Sequence, residues 1–74
     1  MPDPDLAYIE RQIAATLEKI ARQRGVIEQV RALKADTRKS ERLLKSMQRT
    51  LADLRAIRRL IEDDLTDAKV SSRF

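Results

Sequence analysis

Apolar residues recur along the chain in two stripes of helical spacing. The first stripe steps mostly by three, four or seven residues through Leu6, Ile9, Ile13, Leu17, Ile20, Ile27 and Val30. The second has similar steps and contains Leu44, Met47, Leu51, Leu54, Ile57, Ile61 and Leu65. Such spacing places side chains on one face of an α-helix, and no long segment has the alternation typical of strands. We therefore predict an all-α fold with two amphipathic helices.

The apolar pattern stops between Leu33 and Leu43, where nine consecutive residues carry no large apolar side chain. Asp3 is a suitable N-cap for the first helix, and proline is favoured at the first helical position, here Pro4. Asp36 or Thr37 is the candidate N-cap of the second helix. We predict a single domain, 1–74, with helix one over about 4–33, a turn over about 34–36, helix two over about 37–67 and a frayed tail over 68–74.

Folding the chain back at this break brings the two stripes into register. The predicted pairs are Leu6 with Leu65, Ile9 with Ile61, Ile13 with Ile57, Leu17 with Leu54, Ile20 with Leu51 and Ile27 with Leu44. This pairing favours an antiparallel, coiled-coil-like helical hairpin with a short loop. The alternative is one continuous helix in a long coiled coil, because neither glycine nor proline ends helix one after Leu33.

Three polar residues fall close to the predicted seam between the helices. Thr16 and Gln23 occupy the second core position of the isoleucine heptads, and Arg58 interrupts the second stripe. As core residues they would specify the register at some cost in stability. We favour the alternative in which they lie at the edge of the seam, with the stem of Arg58 on apolar surface and its guanidinium near Glu62.

Four apolar residues lie outside a two-helix seam and widen the stripe on both helices: Val26, Leu33, Leu43 and Leu60. A chain this short buries only about 60% of the surface that it exposes when unfolded. It has no cysteine or histidine for a disulfide or a zinc site. We therefore predict a homo-oligomer, with a dimer favoured, in which two hairpins form a four-helix bundle through these residues. Docking on a different protein is the alternative.

The composition offers little for catalysis. The chain has no His, Cys or Trp, one Tyr, one Phe and 38% charged residues. A helical chain of this size also has little volume for a substrate pocket. We predict no enzymatic activity, catalytic residue, cofactor, metal or small-molecule substrate.

Several features of the sequence favour a cytoplasmic protein. No stretch approaches the roughly 20 apolar residues of a membrane span, and the amino terminus lacks the pattern of a signal peptide. The polar faces of the helices mix acidic and basic residues, and the apolar faces lack tryptophan. These properties favour a protein partner over a membrane.

The net charge of +4 is unevenly distributed. Residues 1–18 carry −3, residues 19–59 carry +9 and residues 60–74 carry −2, so a hairpin has a basic turn and an acidic open end. The basic residues around the turn are Arg31, Lys34, Arg38, Lys39, Arg42, Lys45 and Arg49. They are candidates for nucleic-acid contacts, although no recognised DNA-binding motif or aromatic residue accompanies them. We favour the interpretation that these charges form a solvated surface. Assembly of protomers, with the basic end of one against the acidic end of another, comes next.

Several short segments within about residues 9–60 form one pattern: Ile20-Ala21-Arg22-Gln23-Arg24, Val26-Ile27-Glu28, Ala35-Asp36-Thr37, Ser40-Glu41-Arg42-Leu43-Leu44 and Thr50-Leu51. This pattern resembles small uncharacterised proteins that are common in alphaproteobacterial genomes. The resemblance implies a helical hairpin whose turn contains glycine and Asp-Thr, in a bacterial cytoplasm, and it implies no activity. This sequence has Lys34-Ala35 where that family tends to have the glycine-containing turn.

Two functions follow from these patterns. The first is a structural or regulatory interaction module that acts through self-association or docking on a protein partner. The alternative is a small basic nucleic-acid-binding protein that uses the region from Arg31 to Arg49.

Overall fold

The chain forms two helices that fold back on each other. The computed structural model describes residues 3–71, with side chains through residue 67. Helix α1 comprises Pro4–Ala32 and helix α2 comprises Arg38–Ser71. They pack against each other in an elongated hairpin 64 Å long. The predicted all-α hairpin is confirmed, and the alternative of one continuous helix is wrong.

The start of α1 follows the sequence prediction. Asp3 is the N-cap, and its Oδ1 accepts hydrogen bonds from the N–H groups of Asp5 at 2.8 Å and Leu6 at 3.0 Å. Pro4 occupies the first helical position, where its missing N–H would have had no partner within the helix. These contacts satisfy orphan donors of the first turn and determine where the helix begins.

The end of α1 is a hydrogen-bonded turn with a left-handed residue at Lys34. The N–H of Lys34 donates to the carbonyl of Arg31 at 2.9 Å, and the N–H of Ala35 donates to the carbonyl of Val30 at 3.1 Å. These are the two bonds of a Schellman motif, in which glycine commonly takes the left-handed position. Lys34 has a φ of 58°, where a Cβ atom is unfavourable. The chain thus reverses sharply without a glycine.

Both candidate caps take part in the start of α2. The carbonyl of Thr37 accepts a hydrogen bond from the N–H of Glu41 at 2.9 Å, so Thr37 is the N-cap by its backbone. The Oδ1 atom of Asp36 accepts a bond from the N–H of Arg38 at 2.9 Å. The prediction named one residue or the other, whereas the structure divides the capping between them.

Helix α2 ends at Ser71, later than the predicted end at about residue 67. Neither glycine nor proline stands between these positions, and Ala68 and Lys69 both favour helix. In the structure α2 includes residues 68–71 of the tail that we predicted to fray. The last residues of that tail, 72–74, lie outside the described part of the chain.

The core is a single seam between the two helices. Its buried apolar residues are Ile9, Ile13, Ile20, Ile27 and Leu51. Leu44, Met47, Leu54 and Ile61 are partly buried and pack against the cluster that Ile9, Ile13, Ile20 and Leu51 form. Buried positions in α1 follow one another in steps of three and four residues, which is the heptad pattern of a two-helix contact.

Two residues predicted to lie in the seam are instead largely exposed. Leu17 retains 44% of its accessible surface and Ile57 retains 42%. The heptad repeat assigns the core positions to Thr16 and Arg58, which are the direct neighbours of these two residues in the sequence. A seam between two helices is only one stripe wide, so the neighbouring side chains lie beside it. Ile57 and Leu17, which we paired with Ile13 and Leu54, therefore lie beside the buried line of the seam.

Replacing Lys34 by glycine is expected to raise the free energy of unfolding by about 1 kcal/mol, because glycine adopts the left-handed conformation without the Cβ penalty. Chemical denaturation measures the difference. Ala35→Gly is the matched control: its φ is not positive, so the added chain entropy should lower stability by about 0.4–1 kcal/mol. A Lys34→Gly variant less stable than the parent chain would contradict this account.

Candidate interaction surfaces

Two polar side chains are buried in the seam, contrary to the prediction that placed them at its edge. Thr16 and Gln23 each retain only 8% of their accessible surface. The hydroxyl of Thr16 donates to the carbonyl of Gln12 in its own helix at 2.8 Å. Among the described residues, no buried side-chain nitrogen or oxygen lacks a partner. The heptad carries these residues into the core, and their hydrogen bonds offset the loss of water.

Gln23 connects the two helices directly. Its Nε2 atom donates a hydrogen bond of 2.9 Å to the carbonyl of Ser40, in the first turn of α2. A polar group at a core position favours the one register in which it finds its partner. The Gln23–Ser40 bond therefore favours the register that places Gln23 beside the first turn of α2.

The position of Arg58 agrees with the prediction. Its side chain is 38% exposed, and its Nε atom lies 3.5 Å from Oε1 of Glu62, one helical turn further on. Arg58 is thus only partly buried, and its charged group is paired and in contact with water. An exposed pair of this kind contributes little to stability.

The four apolar residues predicted to lie outside the seam are all exposed: Val26, Leu33, Leu43 and Leu60. Leu33 is the most exposed of them at 80%. Tyr8, Leu17 and Ile57 add to the exposed apolar surface, and the prediction omitted all three. A strict heptad count from Ile13 or Leu44 would have identified Leu17 and Ile57, because it places each of them beside the seam.

The basic residues around the turn are all exposed, but only some of them share a surface. Arg38, Lys39, Arg42 and Lys45 line an open groove of about 710 Å³ at the start of α2. Arg31 lies on α1, and its Nη2 atom is 3.4 Å from Oε1 of Glu41. Lys34 lies in the turn, and Arg49 lies further along α2 than the groove.

Two acidic residues, Asp36 and Glu41, also line this basic groove. The guanidinium of Arg38 donates to both carboxylate oxygens of Asp36 at 2.9–3.1 Å. These side-chain bonds, together with the bond from the Arg38 backbone, lower the pKa of Asp36. The same pairing raises the pKa of Arg38. Asp36 is therefore ionised at neutral pH and occupies donors of Arg38 that could otherwise bind a phosphate.

The structure shows no sign of a metal site or a membrane span in the part of the chain that it describes. Within residues 3–71, no group of three or more carboxylates is placed to hold a metal ion. No helix in that range is long and apolar enough to cross a membrane. The other hollows are grooves along the hairpin, such as one of about 410 Å³ lined by Arg55, Arg58, Arg59, Glu62 and Asp63.

Comparison with known proteins adds nothing to this geometry. No family model, curated protein or solved structure matches the chain. The resemblance to alphaproteobacterial hairpin proteins stays a prediction. The protein is thus a charged helical hairpin with exposed apolar side chains, and these surfaces are its candidate sites of interaction.

Substitutions at Gln23 separate the contribution of its hydrogen bond from that of its burial. Gln23→Ala should lower the free energy of unfolding by about 2 kcal/mol, because it removes both the bond to Ser40 and packed atoms. Gln23→Leu should remain within about 1 kcal/mol of the parent chain, because added apolar burial offsets the lost bond. Chemical denaturation tests both. An equal loss in the two variants would show that the hydrogen bond itself dominates.

Proposed function

We propose that this chain is a non-enzymatic helical interaction module, structural or regulatory in role, that acts by associating through its exposed apolar residues with another helical surface. The partner surface belongs to a second copy of the chain or to a different protein. The observation that carries the proposal is the amount of apolar surface that the hairpin leaves uncovered.

The small size of the core supports this proposal. The seam buries five apolar residues, and no described side chain is fully shielded from solvent. The chain exposes 6310 Å², whereas a compact monomer of 8.6 kDa would expose about 4,700 Å². The hairpin therefore resembles one layer of a helical bundle more than a finished domain, and a second layer would supply the missing burial.

The kind of exposed residue also supports association. Seven large apolar side chains retain at least 42% of their surface. Scattered exposed apolar atoms are common in soluble proteins, but large aliphatic groups concentrated on a chain this short are typical of an interaction surface.

The absence of enzymatic activity and the cytoplasmic setting belong to the same proposal. The chain contains no histidine or cysteine, the residues that most often move protons or attack substrates in enzymes. The groove at the start of α2 is open and lined by charged side chains. Such a surface suits contacts with another macromolecule better than enclosure of a small substrate.

Molar mass in solution tests self-association. We expect the mass measured by sedimentation equilibrium to rise with concentration from the 8.6 kDa of one chain towards a multiple of it, and the helix content and melting temperature to rise in parallel. A stable, fully helical monomer at millimolar concentration that binds no other protein would contradict the proposal.

A second candidate function is nucleic-acid binding, and the shared groove of Arg38, Lys39, Arg42 and Lys45 favours it. Four neighbouring cations can contact successive phosphates, and such binding weakens steeply as salt rises. The pairing of Arg38 with Asp36 and the absence of aromatic residues from this region weigh against it.

A titration with duplex DNA at several salt concentrations decides this second candidate. The triple variant Arg38→Glu, Lys39→Glu and Arg42→Glu should lose salt-sensitive binding that depends on the groove. The triple variant Arg24→Glu, Arg55→Glu and Arg59→Glu changes the net charge equally outside the groove and serves as the control. Undetectable binding at low salt, or equal losses in both variants, would exclude a specific role for the groove.

A further inference from the structure

The two flanks of the seam differ in polarity. One flank carries the Arg31–Glu41 ion pair, which joins the helices at 3.4 Å. Each of these residues directly follows a core position of the heptad in its own helix. In an antiparallel pair of helices, residues that follow a core position in this way lie on the same flank of the seam. A groove on this flank is lined by Leu17, Ala21, Arg24, Gln48, Ala52 and Arg55, together with the seam residues Ile20 and Leu51. We call it the polar flank, and of the large exposed apolar residues it holds only Leu17.

The opposite flank holds the other large exposed apolar residues. Val26 directly precedes Ile27, Leu43 precedes Leu44, and Leu33 follows Val26 by one heptad. Ile57 likewise precedes Arg58, which stands at a core position of the heptad. Tyr8 and Leu60 lie on the same flank, further from the seam. We call this surface the apolar flank; its large apolar residues are Tyr8, Val26, Leu33, Leu43, Ile57 and Leu60.

We infer that the apolar flank binds the same flank of a second copy of this chain, with the two hairpins antiparallel. This inference rests on the proposed function, and it specifies both the partner and the surface. A twofold axis across the middle of the hairpin generates such a pair, and it places each end of one copy beside the opposite end of the other.

The charge distribution selects this occupant and this orientation. The hairpin is basic at its turn and acidic at its open end. Two copies aligned in the same direction place like charges together, whereas an antiparallel copy places the basic turn beside the acidic end. A hairpin of this length and polarity is therefore complementary to itself when turned end for end.

Three charged residues of the apolar flank follow the same pattern. Lys39 lies near the turn at an outward position of this flank, and Asp64 and Asp67 lie near the open end on the same side of α2. All three side chains are exposed. Antiparallel packing brings Lys39 of one copy towards Asp64 and Asp67 of the other, at the rim of the interface.

The hairpin exposes more surface than a compact monomer, and the difference exceeds the area that a standard interface removes. The excess over a compact monomer of this mass is about 1,600 Å² per chain. A standard protein interface removes about 800 Å² from each partner. The six apolar residues would supply the buried centre of that area, and a four-helix bundle would result.

Disulfide trapping tests the orientation, because the chain has no cysteine of its own. Leu33→Cys is placed at the turn, and Tyr8→Cys and Leu60→Cys are placed towards the open end, more than about 30 Å away along the helices. A disulfide needs Cα atoms within about 7 Å. We expect Leu33→Cys chains to cross-link with Tyr8→Cys or Leu60→Cys chains under mild oxidation, and not with each other. Cross-linking of Leu33→Cys chains only to themselves would overturn the antiparallel arrangement.

A matched pair of leucines tests the surface. Leu43 is 49% exposed on the apolar flank and Leu17 is 44% exposed on the polar flank. Leu43→Glu should raise the dissociation constant of the dimer by about a hundredfold or more, since each dimer contains the change twice. Leu17→Glu should raise it by less than about threefold. Sedimentation equilibrium measures both, and circular dichroism checks that the variants stay helical.

The possible results separate this inference from the proposed function. A parent chain that stays monomeric and helical overturns self-association, and with it this dimer. A parent dimer that Leu17→Glu dissociates and Leu43→Glu does not leaves self-association standing and overturns the apolar flank as its surface. If either variant loses its helix content, the trapping experiment on the cysteine variants decides the arrangement.

Discussion

The structure depends on one line of contacts between two helices. Isoleucines at positions of heptad spacing in α1 meet leucines and a methionine of α2, and this seam is the only core in the described part of the chain. Because two helices share a contact only one stripe wide, the seam cannot cover all of the apolar residues. The residues that it excludes form the surface from which we infer the function, so the narrow core and the exposed apolar residues have the same physical origin.

The turn determines how that surface is charged. The reversal between Ala32 and Arg38 uses a left-handed Lys34 and side-chain capping by Asp36, and needs no glycine. Once the chain reverses, the acidic segments at its two ends lie together and the basic middle of the sequence crowds the turn. A chain with modest net charge thus becomes strongly polarised along its length. Polarity of this kind favours an antiparallel neighbour and opposes a parallel one.

Most of the secondary structure could be predicted from local patterns. The start of α1 follows from Asp3 and Pro4, and the break follows from the absence of large apolar residues after Leu33. The residues that form the seam were harder to predict. From Ile13, a step of four residues leads to Leu17 and a step of three leads to Thr16, and either residue could continue the stripe. Hydrophobicity favours the leucine, but the heptad geometry of the pair places the threonine in the core.

The sequence by itself determined the all-α class, the two stripes, the position of the break and the exposure of Val26, Leu33, Leu43 and Leu60, because these depend on local spacing and on residue type. Only the tertiary structure decided that Gln23 is buried and bonded to Ser40, and that Leu17 lies on a different flank from the other exposed apolar residues. The reason is that a stripe on one helix has no defined centre until a second helix packs against it.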